Sequence, residues 1–327
     1  MEDKIRRDIE TYDGIKILNI SRVKGGWLNQ LWKISTDHGD DQLVKVYSPE
    51  RYDHEKLHFL ESALYRQILI EKQGIPCPHI VLRDGHAIRY LDNQIAYIMM
   101  GFCSGHNESC STITAKQMYS LGMNCALMHK AFSMLPYTSV KGYPFNSQKL
   151  LYSLWENHHK RKQNIHPTQP IRYREAILMQ KSILESIDKD LFERIPKGIA
   201  HEDFTPDNLL FHDTGLSAII DFDRNHYSFL WHDIGRTILS FALRDGVLDM
   251  QKVAAFVRGY SLYFPLTRAN IADSLRISWC IESTWWIQPA YFLMEPCKAT
   301  RYRDEIIWLG KHWFEIDSIL QDSFLII

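Results

Sequence analysis

The stretch Ile199 to Arg224 reads I-A-H-E-D-F-T-P-D-N-L-L-F-H-D-T-G-L-S-A-I-I-D-F-D-R, and the rest of the chain is best understood outward from it. It sets His201, Asp203 and Asn208 in the pattern H-x-D-x-x-x-x-N. Asp221, in I-D-F-D, follows about 18 residues after Asp203. Leu209-Leu210-Phe211 and Leu216 to Ile220 read as apolar strands joined by the turn His212-Asp213-Thr214-Gly215, a hairpin that brings Asn208 and Asp221 together. Asp and Asn in a loop also favour plain turns. The second carboxylate, arriving at the end of a strand, is what points to a site.

These residue types suit phosphoryl transfer, in which a hydroxyl must be held in line with a terminal phosphate and a hard cation must meet the nucleotide's charge. A loop carboxylate accepts the hydroxyl proton, so Asp203 is the candidate base. An amide oxygen and a carboxylate suit Mg²⁺, so Asn208 and Asp221 are the candidate metal ligands. His201 is the candidate for holding the loop's shape.

The segment resembles the aminoglycoside phosphotransferase and choline kinase family of small-molecule kinases, in which the motif commonly reads H-G-D-x-x-P-x-N before an I-D-F/W-[DE] strand. Glu202 stands here where Gly is usual, and Thr205 where His is frequent. The resemblance covers roughly residues 15 to 295. It implies an α+β, bilobal, protein-kinase-like fold: a small β-rich N-lobe with one main helix over residues 1–100, and a larger, mostly helical C-lobe over 101–327. It also implies ATP, with GTP as the alternative nucleotide, together with Mg²⁺ and a small-molecule hydroxyl acceptor.

Upstream, Ile15 to Val23, Leu31 to Ser35 and Gln42 to Tyr47 read as strands joined by glycine turns. The segment G-G-W-L-N-Q-L-W-K-I is similar to the family's glycine turn followed by Asn, which makes Gly25, Gly26 and Asn29 candidate phosphate-loop residues; an ordinary hairpin fits the same glycines. Lys45, in L-V-K-V-Y, is by default a solvated strand lysine. The helix that follows, Asp53 to Gln73, changes that reading, because it carries Glu61 beside the stripe Leu57, Leu60, Leu64 and Ile68. A kinase fold sets a strand lysine on the phosphates with a helix glutamate. Lys45 and Glu61 match in order and separation, with Glu55 and Glu71 competing for the helix role.

Gly74-Ile75-Pro76-Cys77-Pro78 stops the helix. Two strands, Ala87 to Tyr90 and Gln94 to Met100, lead into Met100, Gly101, Phe102 and Cys103, a candidate hinge for an adenine ring; a plain loop reads the same way. Thr114-x-x-Gln117 is a capping-box pattern opening a helix through Met128. Further helices are expected over Ser147 to Gln163, Ile171 to Phe192, Phe229 to Leu243, Asp249 to Tyr263, Ala269 to Phe292 and Arg301 to Gln321. His129 reads as a packed histidine. Asp233, in W-H-D-I-G-R, resembles the family's Asp-[LI]-[AG] helix start, which implies a brace for the catalytic loop; a helix N-cap is the other reading. Glu282, Trp285 and Trp286 are candidates for an ammonium-binding cage on the acceptor side, although tryptophans at helical spacing also serve as core.

Composition sets the outer bounds. The 327 residues are 45% hydrophobic and 24% charged with a formal net charge of -1, and the pI is near 6.9, so no overall field draws the chain to nucleic acid or to an anionic membrane. The six cysteines form no C-x-x-C pair and read as free thiols. The N-terminus lacks the apolar core of a signal peptide and no run approaches a membrane span, so a cytoplasmic protein is expected. Two rival readings remain open at this level. A protein Ser/Thr kinase is disfavoured by the missing A-P-E segment, and a non-catalytic nucleotide-binding protein by the presence of Asp203.

Overall fold

The structure, a computed structural model, describes residues 1–23, 29–92, 94–135, 147–188 and 190–321. Helix α1 (Glu2–Tyr12) precedes β1 (Ile17–Val23), β2 (Gln30–Thr36) and β3 (Asp41–Val46). Helix α2 (His54–Glu71) then leads to β4 (Arg89–Leu91) and β5 (Ile95–Gly101). The strands form one antiparallel sheet in the order β1-β2-β3-β5-β4. Strand β3 is central, and Lys45 sits opposite Leu31 and Ile98.

Side chains alternate across a strand, so β3 serves two cores. Val44 and Val46 join Ile5, Ile9, Ile17, Ile34 and Met99 beneath α1, whereas Leu43 points with Ile98 and Met100 to the cluster of Leu60, Leu64 and Ile68 on α2. Lys45 shares its parity with Leu43 and so faces the α2 side. The sequence reading places no helix before Ile15; α1 exists because Ile5 and Ile9, one turn apart, are both fully buried. Helix α2 begins where Asp53 accepts the N–H of Lys56 at 2.9 Å.

The C-terminal part is helical. Helix α3 (Ala115–Ser133) opens with the expected capping box of Thr114 and Gln117, and is followed by α4 (Ser147–Gln163), α5 (Ile171–Ser186) and α6 (Leu191–Arg194). Strand β6 (Lys197–Ala200), the hairpin β7 (Leu209–His212) and β8 (Gly215–Ile219), and β9 (His226–Phe229) frame the motif segment, with β6 pairing antiparallel to β9. Then come α7 (Leu230–Ala242), the short hairpin β10 (Leu243–Arg244) and β11 (Val247–Leu248), α8 (Met250–Tyr260), α9 (Arg268–Trp286), α10 (Lys298–Lys311) and α11 (Ile316–Ile319).

Several expected helices end early for identifiable reasons. Helix α9 stops at Trp286 rather than Phe292, because Pro289 has no N–H to continue it and a 3₁₀ turn over Pro289–Phe292 follows. Helix α5 stops at Ser186, where Ile187 turns extended. Helices α3 and α8 cross at reciprocal glycines: a Cβ on Gly122 would lie 2.1 Å from Phe256 O, and one on Gly259 would lie 2.0 Å from Tyr119 O. Among the described residues no helix is long and apolar enough to cross a membrane, and the cysteines are free.

Candidate active site

Strand β6 delivers the chain into the loop at His201, and α7 fixes that loop from below. Asp233, in the first turn of α7, accepts the N–H groups of His201 (2.8 Å) and Glu202 (3.0 Å) and meets His129 Nε2 at 3.0 Å. It therefore braces the loop instead of capping its own helix, and His129 is a buried hydrogen-bonded histidine that also meets Tyr260. Asp203 N–H donates to His201 Nδ1 at 3.3 Å, which makes Nε2 the protonated nitrogen that donates to Ile220 O at 3.1 Å. One imidazole thus ties the loop to the end of β8. Glu202 adopts φ +64°, a left-handed conformation costing about 1 kcal/mol outside glycine.

Asn208 closes the loop. Its Nδ2 donates to the main-chain oxygen and to Oδ2 of Asp203, both at 2.8 Å, while its own carbonyl accepts the Ile220 N–H at 2.9 Å. That last bond sets Asn208 beside the chain entering Asp221, which is itself left-handed at φ +63°. Across the sheet, Lys45 Nζ lies 2.7 Å from Asp221 Oδ1 and 2.7 Å from Asp223 Oδ2. The Tyr47 hydroxyl donates to Asp223 Oδ1 at 3.2 Å. Burial works against the lysine's charge, but the two carboxylates more than offset it and keep the ammonium protonated. Burial also raises both carboxylates; for Asp221 the Lys45 charge wins and holds it below its ordinary value, while Asp223, beside the Asp221 charge, is pushed up to about 6. The side chain of Asp221 is 39% exposed and that of Asp223 only 10%.

The sequence-expected partner of Lys45 is elsewhere. Glu61 accepts the N–H groups of Ala87 (2.9 Å) and Ile88 (3.0 Å), holding the chain into β4, and His86 lies at 3.7 Å. Glu71 meets His79 at 2.9 Å, and Glu55 sits in the exposed first turn of α2. Helix α2 is anchored instead through Arg66, whose Nε donates to Asn225 Oδ1 at 2.6 Å and whose Nη2 donates to Asn225 O at 2.7 Å. Gly25 and Gly26 lie outside the described residues. Asn29 sits against Tyr52 near the end of β3, with its Oδ1 buried and without a donor. In the hinge candidate, Gly101 N–H is engaged by His79 O at 2.8 Å and Phe102 N–H by Asp41 O at 3.1 Å, so neither is offered to a purine; Met100 is buried in the sheet and Cys103 is half-buried.

The cage expected from Glu282, Trp285 and Trp286 does not form. Glu282 is buried between His232 Nε2 (2.9 Å), Arg236 and the Trp286 indole N–H (2.8 Å), so its charge is already balanced. Trp285 is 65% exposed, and Trp286 packs on Tyr291 and Tyr302. These groups belong to a longer alternation of charge: Glu202, His232, Glu282, Arg236, Glu305, Arg301, Asp207 and Lys298 follow one another as ion pairs. Two of its members, Glu202 and Asp207, lie in the loop on either side of Asp203. Burial would raise Glu202 and Glu282, but His232 beside the first and Arg236 beside the second hold both down to about 2; burial would lower His232, but the two carboxylates raise it to about 10. Asp223 was missed, although the second acid of I-D-F-D was a signal for it, whereas His232, Arg236, Lys298 and Arg301 belong to no spacing that announces them.

The donor set suits a hard cation. Asp221 is a half-exposed carboxylate and Asn208 an amide in the 3₁₀ turn that leads into β7, and Mg²⁺ takes few protein ligands alongside phosphate and water. Among the described residues no group of three or more His, Cys, Asp or Glu could hold a metal without such help. A groove of about 980 Å³ opens on the outer face between α1, α2 and β4, lined by Lys4, Arg7, His54, His58 and Tyr90 among others, and contains neither Lys45 nor any residue of the loop.

The description of the phosphotransferase enzyme family matches residues 19–267. A homoserine kinase from Hyphomonas neptunium is 27% identical over 262 residues, covering 71% of this chain and 73% of its own length. An amicoumacin kinase solved with AMP-PNP and Ca²⁺ superposes with a TM-score of 0.62 at 14% identity, covering 91% of this chain and 89% of its own. A choline kinase from Streptococcus pneumoniae gives 0.60 at 14% identity over 95% and 99%. The fold is therefore the α+β protein-kinase-like fold, with the sheet in the N-terminal region and the helices in the C-terminal region.

Proposed function

The chain belongs to the phosphotransferase enzyme family, and from that premise we propose that it moves the terminal phosphoryl group of ATP, or of GTP, to a hydroxyl of a small molecule with the aid of Mg²⁺. The acceptor we put first is an amino alcohol of the homoserine kind, because curated relatives carry that name. The reaction belongs in the cytoplasm, where the nucleotide is available. The N-terminal part, residues 1–100, holds the nucleotide, and residues 101–327 carry the loop and the acceptor.

The observation that carries this reading is the meeting of Lys45 with Asp221, beside a loop in which Asn208 grips Asp203. Lys45 remains charged, so it neutralises phosphate oxygens once nucleotide replaces Asp221 as its partner. Asn208 and Asp221 would hold Mg²⁺ through their oxygens, and the ion would supply charge neutralisation at the phosphates. Asp203 has one oxygen committed to the Asn208 amide and orients the acceptor hydroxyl with the other, taking its proton as the acceptor oxygen bonds to the terminal phosphorus and the bond from that phosphorus to the departing nucleoside diphosphate breaks. His201 holds the loop through Ile220.

A screen of ATP consumption over homoserine, choline, thiamine, amino sugars and other small alcohols tests the proposal. A phosphorylated product should form with at least one acceptor and vanish in Asp203→Ala while nucleotide still binds. Magnesium-dependent nucleotide binding without transfer to any acceptor would favour a binding protein, and undiminished turnover in Asp203→Ala would remove the base.

A further inference from the structure

We propose that Asp223, and not a glutamate of α2, is the positioning residue for Lys45. The inference rests on the reading of Lys45 as the phosphate-binding amine and adds which carboxylate sets it.

Two carboxylates touch Lys45, and their surroundings differ. Asp221 stands at the cleft with its side chain 39% exposed, free to exchange the lysine for a cation and water; Asp223 is enclosed at 10%, with one oxygen on Lys45 and the other on Tyr47. When nucleotide and metal enter, the open carboxylate changes partners and the enclosed one stays. Asp223 lies in the 3₁₀ turn Phe222–Arg224, whose next residue, Asn225, is clamped by Arg66 and donates to Ala63 O at 3.0 Å and Phe222 O at 2.6 Å. The turn that carries Asp223 is therefore fixed on α2, and the lysine is set across the cleft by the helical part of the chain.

Glu61 and Glu71 are committed elsewhere, and Glu55 lies in the exposed first turn of α2. Glu61 holds two consecutive N–H groups at 87 and 88, an arrangement that satisfies both of its oxygens and anchors the turn into β4. Moving it to Lys45 would orphan both donors, each loss costing roughly 1–3 kcal/mol. With no α2 carboxylate on the lysine, the helix reaches the amine through the Arg66–Asn225 clamp on the turn that carries Asp223. Control of Lys45 falls instead to the segment after Asp221.

The test compares Asp223→Asn, Asp223→Glu and Glu61→Gln with the unmodified protein. Three quantities are read: affinity for AMP-PNP by calorimetry, with Mg²⁺ and again in EDTA; labelling of Lys45 by an acyl-phosphate derivative of ATP; and the melting temperature. Asp223→Asn should weaken AMP-PNP about tenfold or more, both with and without Mg²⁺, and slow labelling of Lys45, since a charge-assisted bond that orients the amine is lost. Asp223→Glu should recover part of both. Glu61→Gln should lower the melting temperature and leave affinity within about threefold below that temperature. Unchanged affinity in Asp223→Asn, or an equal loss in Glu61→Gln, overturns the assignment. A loss confined to the Mg²⁺ condition also overturns it, because Asp223 would then be a metal ligand. Failure of the unmodified protein to bind AMP-PNP at all would sink the proposed function itself, a result separate from any of these.

Discussion

Asn208 donates its side-chain amide to Asp203 Oδ2 over 2.8 Å, and this single bond joins the proposed base to the proposed metal site. An amide has its donors on nitrogen and its acceptor on oxygen. With Nδ2 committed to Asp203, the oxygen is the end left for a cation, so one side chain serves both groups.

Asn208→Ala should therefore damage two things together. The turnover number is expected to fall about 10²-fold as Asp203 loses its orienting donor, and the Mg²⁺ concentration for half-maximal activity to rise about tenfold. A magnesium titration of activity checks this, with EDTA abolishing turnover in both proteins. A variant slowed at unchanged Mg²⁺ requirement would separate Asn208 from the metal.

Much of this site was legible in the sequence, and the reason is local. His201, Asp203, Asn208 and Asp221 fall within one stretch whose hairpin forces them together, so spacing alone carries the geometry. Lys45 was singled out by its order and separation from Glu61, and the structure brings it to Asp221 without that glutamate. Its partner was not legible, since Glu61 and Asp223 are both acids at plausible separations and only the N–H groups at 87 and 88 decide between them. The charge chain from Glu202 to Lys298 was illegible for a different reason. Its members come from the loop, α7, α9 and α10 and meet only after those helices pack. Helix α1 was missed because two isoleucines in a charged dodecapeptide give too little periodicity until a sheet lies beneath them.

Asn225 links α2 to the motif segment. In Asn225→Ala the Arg66 Nε donor loses Oδ1 inside a buried site, where Arg66 is lowered by burial to about 10 and so is charged at neutral pH. The expected cost is about 2–3 kcal/mol, a fall in melting temperature of roughly 5 °C. Thermal denaturation measures it; an unchanged melting temperature would mean that the main-chain bond from Asn225 O suffices for the arginine.

Two glycines should respond to alanine for opposite reasons. At Gly259 the new Cβ meets Tyr119 O at 2.0 Å, so α3 and α8 must separate, at a cost of about 3 kcal/mol or more. At Gly39, φ is +93° and nothing lies within 4 Å, so only backbone strain of roughly 1 kcal/mol is felt. Urea denaturation of the pair ranks them, and equal midpoints would refute the close helix crossing.

His232 gives the fold a predictable response to pH. Its value rises from 6.5 to about 10 on folding, with burial opposing the charge and Glu202 and Glu282 more than restoring it. A group raised on folding contributes its full stability below the unfolded value of 6.5 and loses it as pH climbs through about 10. Glu202 and Glu282 move the other way, from 4.5 to about 2, so their contribution is complete above 4.5 and disappears as pH falls through about 2. The cluster therefore stabilises most between 4.5 and 6.5. His232→Asn leaves two buried carboxylates without their shared cation, so at pH 6 its melting temperature should fall by roughly 5 °C or more. Above that pH the unmodified protein should lose stability steadily while the variant stays nearly flat, the two curves closing on each other near pH 10. Melting curves collected from pH 5 to 10 decide the matter: parallel profiles would mean that the imidazole is neutral in the folded protein and that Glu282 relies on Arg236 for its cation.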